Sequence, residues 1–460
     1  MIKFCNKTIF CAFLFLLLFF LNSCKTDKRY LDSLNDTALF NEAMQVLTDV
    51  VVYDIFSPPV ASRVYVYPTI AAYSIIQKTY PNKYMSLQGQ LTDFIDVSDY
   101  TDSSIIPNLA ALHAFLVVGK KLIFSENKID TYRENLYKDL RNQGLSRREL
   151  NKSIEYGEIV ANEILRWADK DLYKQTRTYS KYTILQDDKY WKPTPPDYME
   201  GIEPHWNKIR PMVIPSLGIF DPPPPLKIDM TKGSRFYNEL IEVYRLGEKV
   251  TEDNNDDSEG TKIAAFWDCN PYVTYHKGHA MFAIKKITPG GHWIGITKIA
   301  TELANDSFDE AINSYLQVSI ALFDGFISCW DTKWNTLVVR PETLINKYLD
   351  EEWLPKLQTP PFPEYTSGHS VISKASAVVL TKIYGDNFGF DDTTEVKYGL
   401  PIRSFNSFME AADEAAISRL YGGIHYRMAI DHGVDQGEKV GEYISSNLNS
   451  LSTNQEVTQN

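Results

Sequence analysis

Apolar residues recur at helical spacing along most of the chain. Phe40, Ala43, Val46 and Leu47 fall on one helical face, as do Ile106, Leu109, Leu112 and Leu116, the repeat expected of helices that each bury one side. Pro58-Pro59 ends the first of these patterns, and Ala61–Tyr73 begins another, rich in small and aromatic residues. Leu145–Tyr173 reads as a helix opened by Ser146, with Glu149 placed to complete a capping box. Ser407-Phe408-Met409-Glu410 carries the same signature and predicts a helix to Tyr421, ended by Gly422-Gly423. Val371–Tyr384, closed by Gly385, is a further helix. No strand-type alternation is sustained. The pattern predicts an all-α protein.

The periodicity stops between Trp191 and Pro225, where Pro193, Pro195-Pro196, Pro204, Pro211, Pro215 and Pro222–Pro225 exclude a long helix. Trp191, Tyr198, Trp206 and Phe220 suggest that this stretch packs as an ordered loop. It divides an N-terminal helical region, 24–230, from a second region, 231–447, which a polar tail follows at 448–460. Thr251–Glu259 is acidic and reads as a solvated loop; Asp253, Asn255 and Asp257 begin like a calcium loop, but Ser258 and Ala264 occupy the positions needing glycine and glutamate.

The chain opens with Lys3 and Lys7 before Ile9–Leu21, an unbroken apolar run shorter than the roughly twenty residues of a membrane span. The run ends at Leu21-Asn22-Ser23-Cys24, which resembles a bacterial lipobox with Cys24 as the lipidated residue. Residues 1–23 therefore read as a lipoprotein signal peptide. The expected product is a soluble body tethered by lipid, periplasmic or outer-membrane-associated. A net charge of -12 over 460 residues argues against nucleic acid as a partner. Cys269 and Cys329, the cysteines beyond the signal region, could pair or remain as buried thiols.

Against this acidic background, three short segments concentrate positive charge and histidine. They are Lys333 with Arg340-Pro341, then Ser367-Gly368-His369, then Ser418-Arg419 with His425. Lys offers a point charge, while Arg can fork across two oxygens of one anion. Ser367 and Gly368 precede a helix, whose first amides form a ready anion nest. His369 is placed to act as general acid, and His425, after the glycines that end the next helix, is the second histidine of the set. His276, His279 and His292 lack a completing carboxylate at any zinc spacing, so no metal site is expected from them.

The ordered trio resembles the signature of the superfamily shared by type 2 phosphatidic acid phosphatases, bacterial non-specific acid phosphatases and vanadium haloperoxidases. The resemblance spans about residues 260–445. Trp330 and Phe362, expected as pocket walls, resemble the haloperoxidase branch, as does Pro289-Gly290-Gly291-His292-Trp293. Thr366 replaces the usual proline. Ala429 stands where the family has the aspartate that orients the second histidine, leaving Asp431 as the nearby candidate. The resemblance implies a helical bundle, with Lys333, Arg340, Ser367, Gly368 and Arg419 binding an oxyanion.

It also implies one of three functions. The first is phosphate-ester hydrolysis, with a phospho-His425 intermediate, a small phosphorylated substrate and no cofactor. The second is a haloperoxidase using the same pocket for vanadate held by His425. The third is an anion-binding lipoprotein without turnover. The phosphatase is the leading expectation, because an exported lipoprotein suits scavenging of phosphate esters.

Overall fold

In a computed structural model, which describes residues 28–249, 257–277, 280–283 and 285–452 (backbone alone over 274–277 and 280–283), the helical faces become fifteen helices among the described residues. The N-terminal region holds α1 (Arg29–Asn35), α2 (Thr37–Tyr53), α3 (Pro58–Thr79), α4 (Pro107–Lys121), α5 (Glu126–Asn142), α6 (Arg147–Ala168) and the single turn α7 (Tyr173–Thr176). The second region holds α8 (Arg235–Leu246), α9 (Glu259–Phe266), α10 (Pro289–Ala304), α11 (Phe308–Thr336) and α12 (Pro341–Tyr348). It closes with α13 (Gly368–Tyr384), α14 (Phe408–Tyr421) and α15 (Arg427–Asn447). Two antiparallel two-stranded ribbons accompany them: β1 (Thr274–Lys277) with β2 (Ala280–Ala283), and β3 (Phe390–Asp392) with β4 (Arg403–Phe405). The fold is all-α, as the pattern predicts.

The local signals account for most boundaries. Ser146 and Glu149 form both halves of a capping box at α6. Ser407 caps α14 through the Glu410 amide, but the Glu410 side chain bonds Asn406 N instead, so that box is only half made. α3 begins at Pro58, earlier than expected, because its two prolines sit where a helix needs no N–H donor. α6 stops at Ala168, short of Tyr173; Asp171 is pulled out of helical register to bond Arg63 Nε at 2.7 Å and the Tyr67 hydroxyl at 2.9 Å. Glu259 opens α9, with Ser258 as its cap. The candidate calcium positions Asp253 and Asn255 lie outside the described residues.

One apolar core runs from Tyr30 to Leu448 and draws on both regions. Its axis is α11, buried on all sides from Ala311 to Lys333 and packed on α2, α3, α10, α13 and α15. The proline-rich stretch is tied to this axis: the Asp324 carboxylate of α11 accepts from Met212, Val213 and Ile214 N–H at 2.7, 2.7 and 3.0 Å. Trp191 and Trp206 are fully buried there, as an ordered loop requires, whereas Tyr198 is exposed. α13 and α15 approach most closely along Gly433, Gly437 and Gly441. A Cβ at Gly437 would fall 2.2 Å from Val371 O, so only glycine permits that spacing. Among the described residues no helix is long and apolar enough to cross a membrane. Cys24 and the signal region lie outside those residues.

Candidate active site

The three segments converge at one end of α11. Lys333 lies in its last turn; Leu337 then takes a left-handed conformation, φ 52°, and the chain turns back. Arg340 follows in extended backbone, as expected before Pro341, and is the N-cap of α12. Ser367 caps α13 by accepting from Ser370 N at 3.3 Å, and its own amide donates to Ala429 O at 2.9 Å. Arg419 ends α14, and His425 lies just before α15. Gly368, His369, Arg419 and His425 line one cavity, together with Trp330 and Phe362. A larger cavity of about 370 Å³ between α2 and α10 includes none of these residues.

The cations are held rigidly. Lys333 Nζ donates to Pro363 O and Glu364 O, both at 2.9 Å. Arg340 donates from Nε to Phe362 O at 2.9 Å and from Nη1 to Ile424 O at 2.8 Å. The same Nη1 stands 3.1 Å from His425 Nε2. Arg419 Nη1 stands 3.2 Å from His369 Nε2. The Nη2 atoms of both arginines are buried without a partner. Each such orphan costs roughly 1–3 kcal/mol, and an oxyanion in the cavity is the group able to satisfy both.

Electrostatics point the same way. Burial pushes the Lys333 ammonium down to about 7, with Arg340 adding to the effect, and pushes Arg340 down to about 10. Burial, then Arg340, Lys333 and Arg419, hold His425 well below the usual imidazole value. Burial and Arg419 do the same to His369, against a hydrogen bond to the Trp267 backbone. Both imidazoles are therefore biased toward the neutral form in the free pocket.

The residue that orients His425 is Glu364, not Asp431. Glu364 Oε1 accepts from His425 Nδ1 at 2.8 Å and from Tyr426 N at 3.0 Å. Nδ1 thus carries the proton and Nε2 keeps its lone pair toward Arg340 and the cavity. Burial pushes the Glu364 carboxyl up to about 8, against Arg340 and Lys333. Asp431 is exposed on α15, two residues and so about 200° round the helix from the buried Ala429. Ala429 is fully buried, in an apolar cluster with Tyr365 and Tyr426. Glu364 was visible beside Phe362-Pro363, but nothing local to it marks a partner sixty-one residues away.

The other expectations resolve plainly. The Trp330 and Phe362 rings stand 4.9 Å apart, with Lys333 Nζ 5.2 Å from the Phe362 centroid. Cys269 and Cys329 are free and buried. On α15, His432 Nδ1 lies 2.8 Å from the Tyr365 hydroxyl. His279 and the His276 side chain lie outside the described residues, whereas His292 is fully buried.

A buried cationic cavity with a histidine lone pair turned toward it is suited to holding a tetrahedral oxyanion. A family model described as the VCPO second helical-bundle domain matches residues 313–454. A crystal structure of a bacterial vanadium-dependent iodoperoxidase is 49% identical, covering 91% of this chain and 98% of its own, with a TM-score of 0.85. A holo-type bacterial vanadium-dependent chloroperoxidase shares the fold at 17% identity, covering 86% of this chain and 93% of its own, with a TM-score of 0.64. No curated protein sequence matches. The chain belongs to the vanadium haloperoxidase family, within the superfamily it shares with the type 2 phosphatidic acid phosphatases.

Proposed function

We propose that the chain is a vanadium-dependent haloperoxidase, with iodide as its halide. The observation that carries this is the pairing of two arginines, each with a buried and unpartnered Nη2, with two histidines: Arg340 Nη1 stands 3.1 Å from His425 Nε2 and Arg419 Nη1 3.2 Å from His369 Nε2, while His425 Nδ1 is tied to Glu364. Phosphate would also suit such a pocket, and phosphate-ester hydrolysis was the leading expectation from sequence. It rests on the superfamily alone. The 49% identity to an iodoperoxidase and the Trp330–Phe362 wall support the peroxidase instead.

The residues fit vanadate. His425 Nε2 would ligate the metal, while Arg340, Arg419, Lys333 and the amides around Ser367-Gly368 would hold its oxygens. Bound vanadate supplies an electrophilic centre that activates hydrogen peroxide toward halide. The chain's own part is binding, orientation and proton handling. Glu364 keeps the Nε2 lone pair available by holding the proton on Nδ1. His369, neutral beside Arg419, can take a proton from an incoming peroxide and return it to the departing oxygen. Trp330 and Phe362 exclude bulk water from the cation cluster, which strengthens each charge there.

The test is to assay the purified body with vanadate, peroxide and iodide, bromide or chloride in turn, and separately with a chromogenic phosphomonoester. Vanadate-dependent iodide oxidation, absent from His425→Ala, is expected. His369→Ala should lose about 10²- to 10⁴-fold in turnover with little change in vanadate affinity. Phosphoester turnover that needs His425, without any halide oxidation, would replace the peroxidase with the phosphatase. The Ile9–Leu21 run ending at Cys24 supports, as part of the same reading, a lipid-anchored protein of the bacterial envelope.

A further inference from the structure

Beside the active-site cavity, whose wall Cys269 also lines, lies a second cluster of chemically able side chains. His292 of α10 is fully buried, and its two ring nitrogens have different partners. Nε2 meets Asp392 Oδ2 of β3 at 2.7 Å. Nδ1 faces Glu395 Oε1 at 3.2 Å and Cys269 Sγ at 3.5 Å, and that sulfur is 3.7 Å from the same Glu395 oxygen. Cys269 and Glu395 are 1% and 5% exposed. The His292 ring is stacked on Trp267, 4.5 Å between centroids, which fixes its plane.

We propose that Cys269, His292 and Glu395 form a divalent-metal site selective for zinc, with Asp392 orienting the histidine. A tetrahedral zinc with bonds of about 2.3 Å to sulfur and about 2.05 Å to nitrogen or oxygen sets its ligand atoms at fixed separations. Nitrogen and oxygen fall about 3.3 Å apart, and sulfur about 3.6 Å from either. The observed 3.2, 3.5 and 3.7 Å follow that triangle. An imidazolium held between Asp392 and Glu395 would account for two of the three groups. It gives no role to the thiol, a weak donor, which converges on the same point.

The Asp392 contact is the further sign. Metal-bound histidines commonly give their second N–H to a carboxylate, which fixes the tautomer and aims the other nitrogen at the metal. Thiolate, imidazole and carboxylate together suit zinc, whereas calcium and magnesium prefer oxygen alone. Binding replaces the Cys269 proton with a metal–sulfur bond and releases that proton. Three protein ligands leave a fourth position for solvent. The metal would clamp the 267–270 segment, whose Trp267 backbone bonds His369, onto α10 and the β3 connection.

The experiment is elemental analysis of the purified full-length protein expressed in zinc-supplemented medium, together with protein expressed with cobalt in place of zinc. About one metal per chain is expected, with a thiolate-to-cobalt charge-transfer band in the near ultraviolet. Cys269→Ser should abolish the band, and Glu395→Gln should lower the metal content at least tenfold. His425→Ala should keep both metal and band, which separates this site from the vanadate pocket. The wild-type cobalt spectrum needs no variant, so misfolding of Cys269→Ser leaves the proposal open to refutation. Wild-type protein carrying less than about a tenth of an equivalent of metal, or a band surviving in folded Cys269→Ser, would overturn it. The cluster would then be an ion-paired imidazolium.

Discussion

Removal of the Glu364 carboxylate tests the active-site assignment most directly. In Glu364→Ala, two buried donors, His425 Nδ1–H and Tyr426 N–H, lose their acceptor. Each orphan costs roughly 1–3 kcal/mol, so the fold should lose about 2–6 kcal/mol in urea unfolding, toward the lower figure if water enters the vacated polar space. The His425 tautomer would no longer be fixed. Loss of a carboxylate behind a metal-ligating histidine typically weakens metal affinity 10- to 100-fold, equivalent to about 1.4–2.7 kcal/mol. Vanadate affinity is to be measured by titrating iodide-oxidising activity and, independently, by calorimetry. Glu364→Gln keeps an oxygen acceptor and should recover most of the stability and part of the affinity. Asp431→Ala should behave as wild type, since Asp431 is exposed on α15. If Glu364→Ala bound vanadate within twofold of wild type, or Asp431→Ala lost as much, the orienting role of Glu364 would be wrong.

Oxyanion binding should be linked to pH through Lys333. Its ammonium titrates at about 7 in the free pocket and must rise beside a bound anion, so binding above pH 7 takes up a proton and affinity falls by up to tenfold per pH unit. Lys333→Arg stays charged and should flatten that slope; equal slopes in the two proteins would count against the linkage. Gly437→Ala places a Cβ 2.2 Å from Val371 O, and should cost about 1–3 kcal/mol or more while moving Gly368 and His425 apart, visible as weaker vanadate binding in the folded variant. Cys24→Ala should abolish labelling by a fatty-acid analogue and release the protein from the membrane fraction; unchanged labelling would remove the lipobox reading.

Much of this protein was legible in its sequence. Helical periodicity, the Ser146 and Ser407 capping residues and the punctuation at Pro341, Gly385 and Gly422 are local signals, because backbone donors and acceptors within a helix are satisfied by near neighbours. The same holds for the cations and histidines that carry the family resemblance, which are read from residue identity and order. The depth of their burial, which makes Lys333 and both histidines titrate low, follows instead from how α11, α13, α14 and α15 pack. The partner of His425 is not local either: Ala429 stands one turn along the chain and Asp431 two residues further, whereas the fold brings Glu364 from another segment. Cys269, His292, Asp392 and Glu395 meet through three separate connections that no spacing pattern links. The chain alone determined its helices and the class of its chemistry, because those depend on residue type and local period. The tertiary structure alone decided tautomer, charge state and which distant carboxylates face which imidazoles, because these depend on desolvation and on contacts between residues remote in sequence.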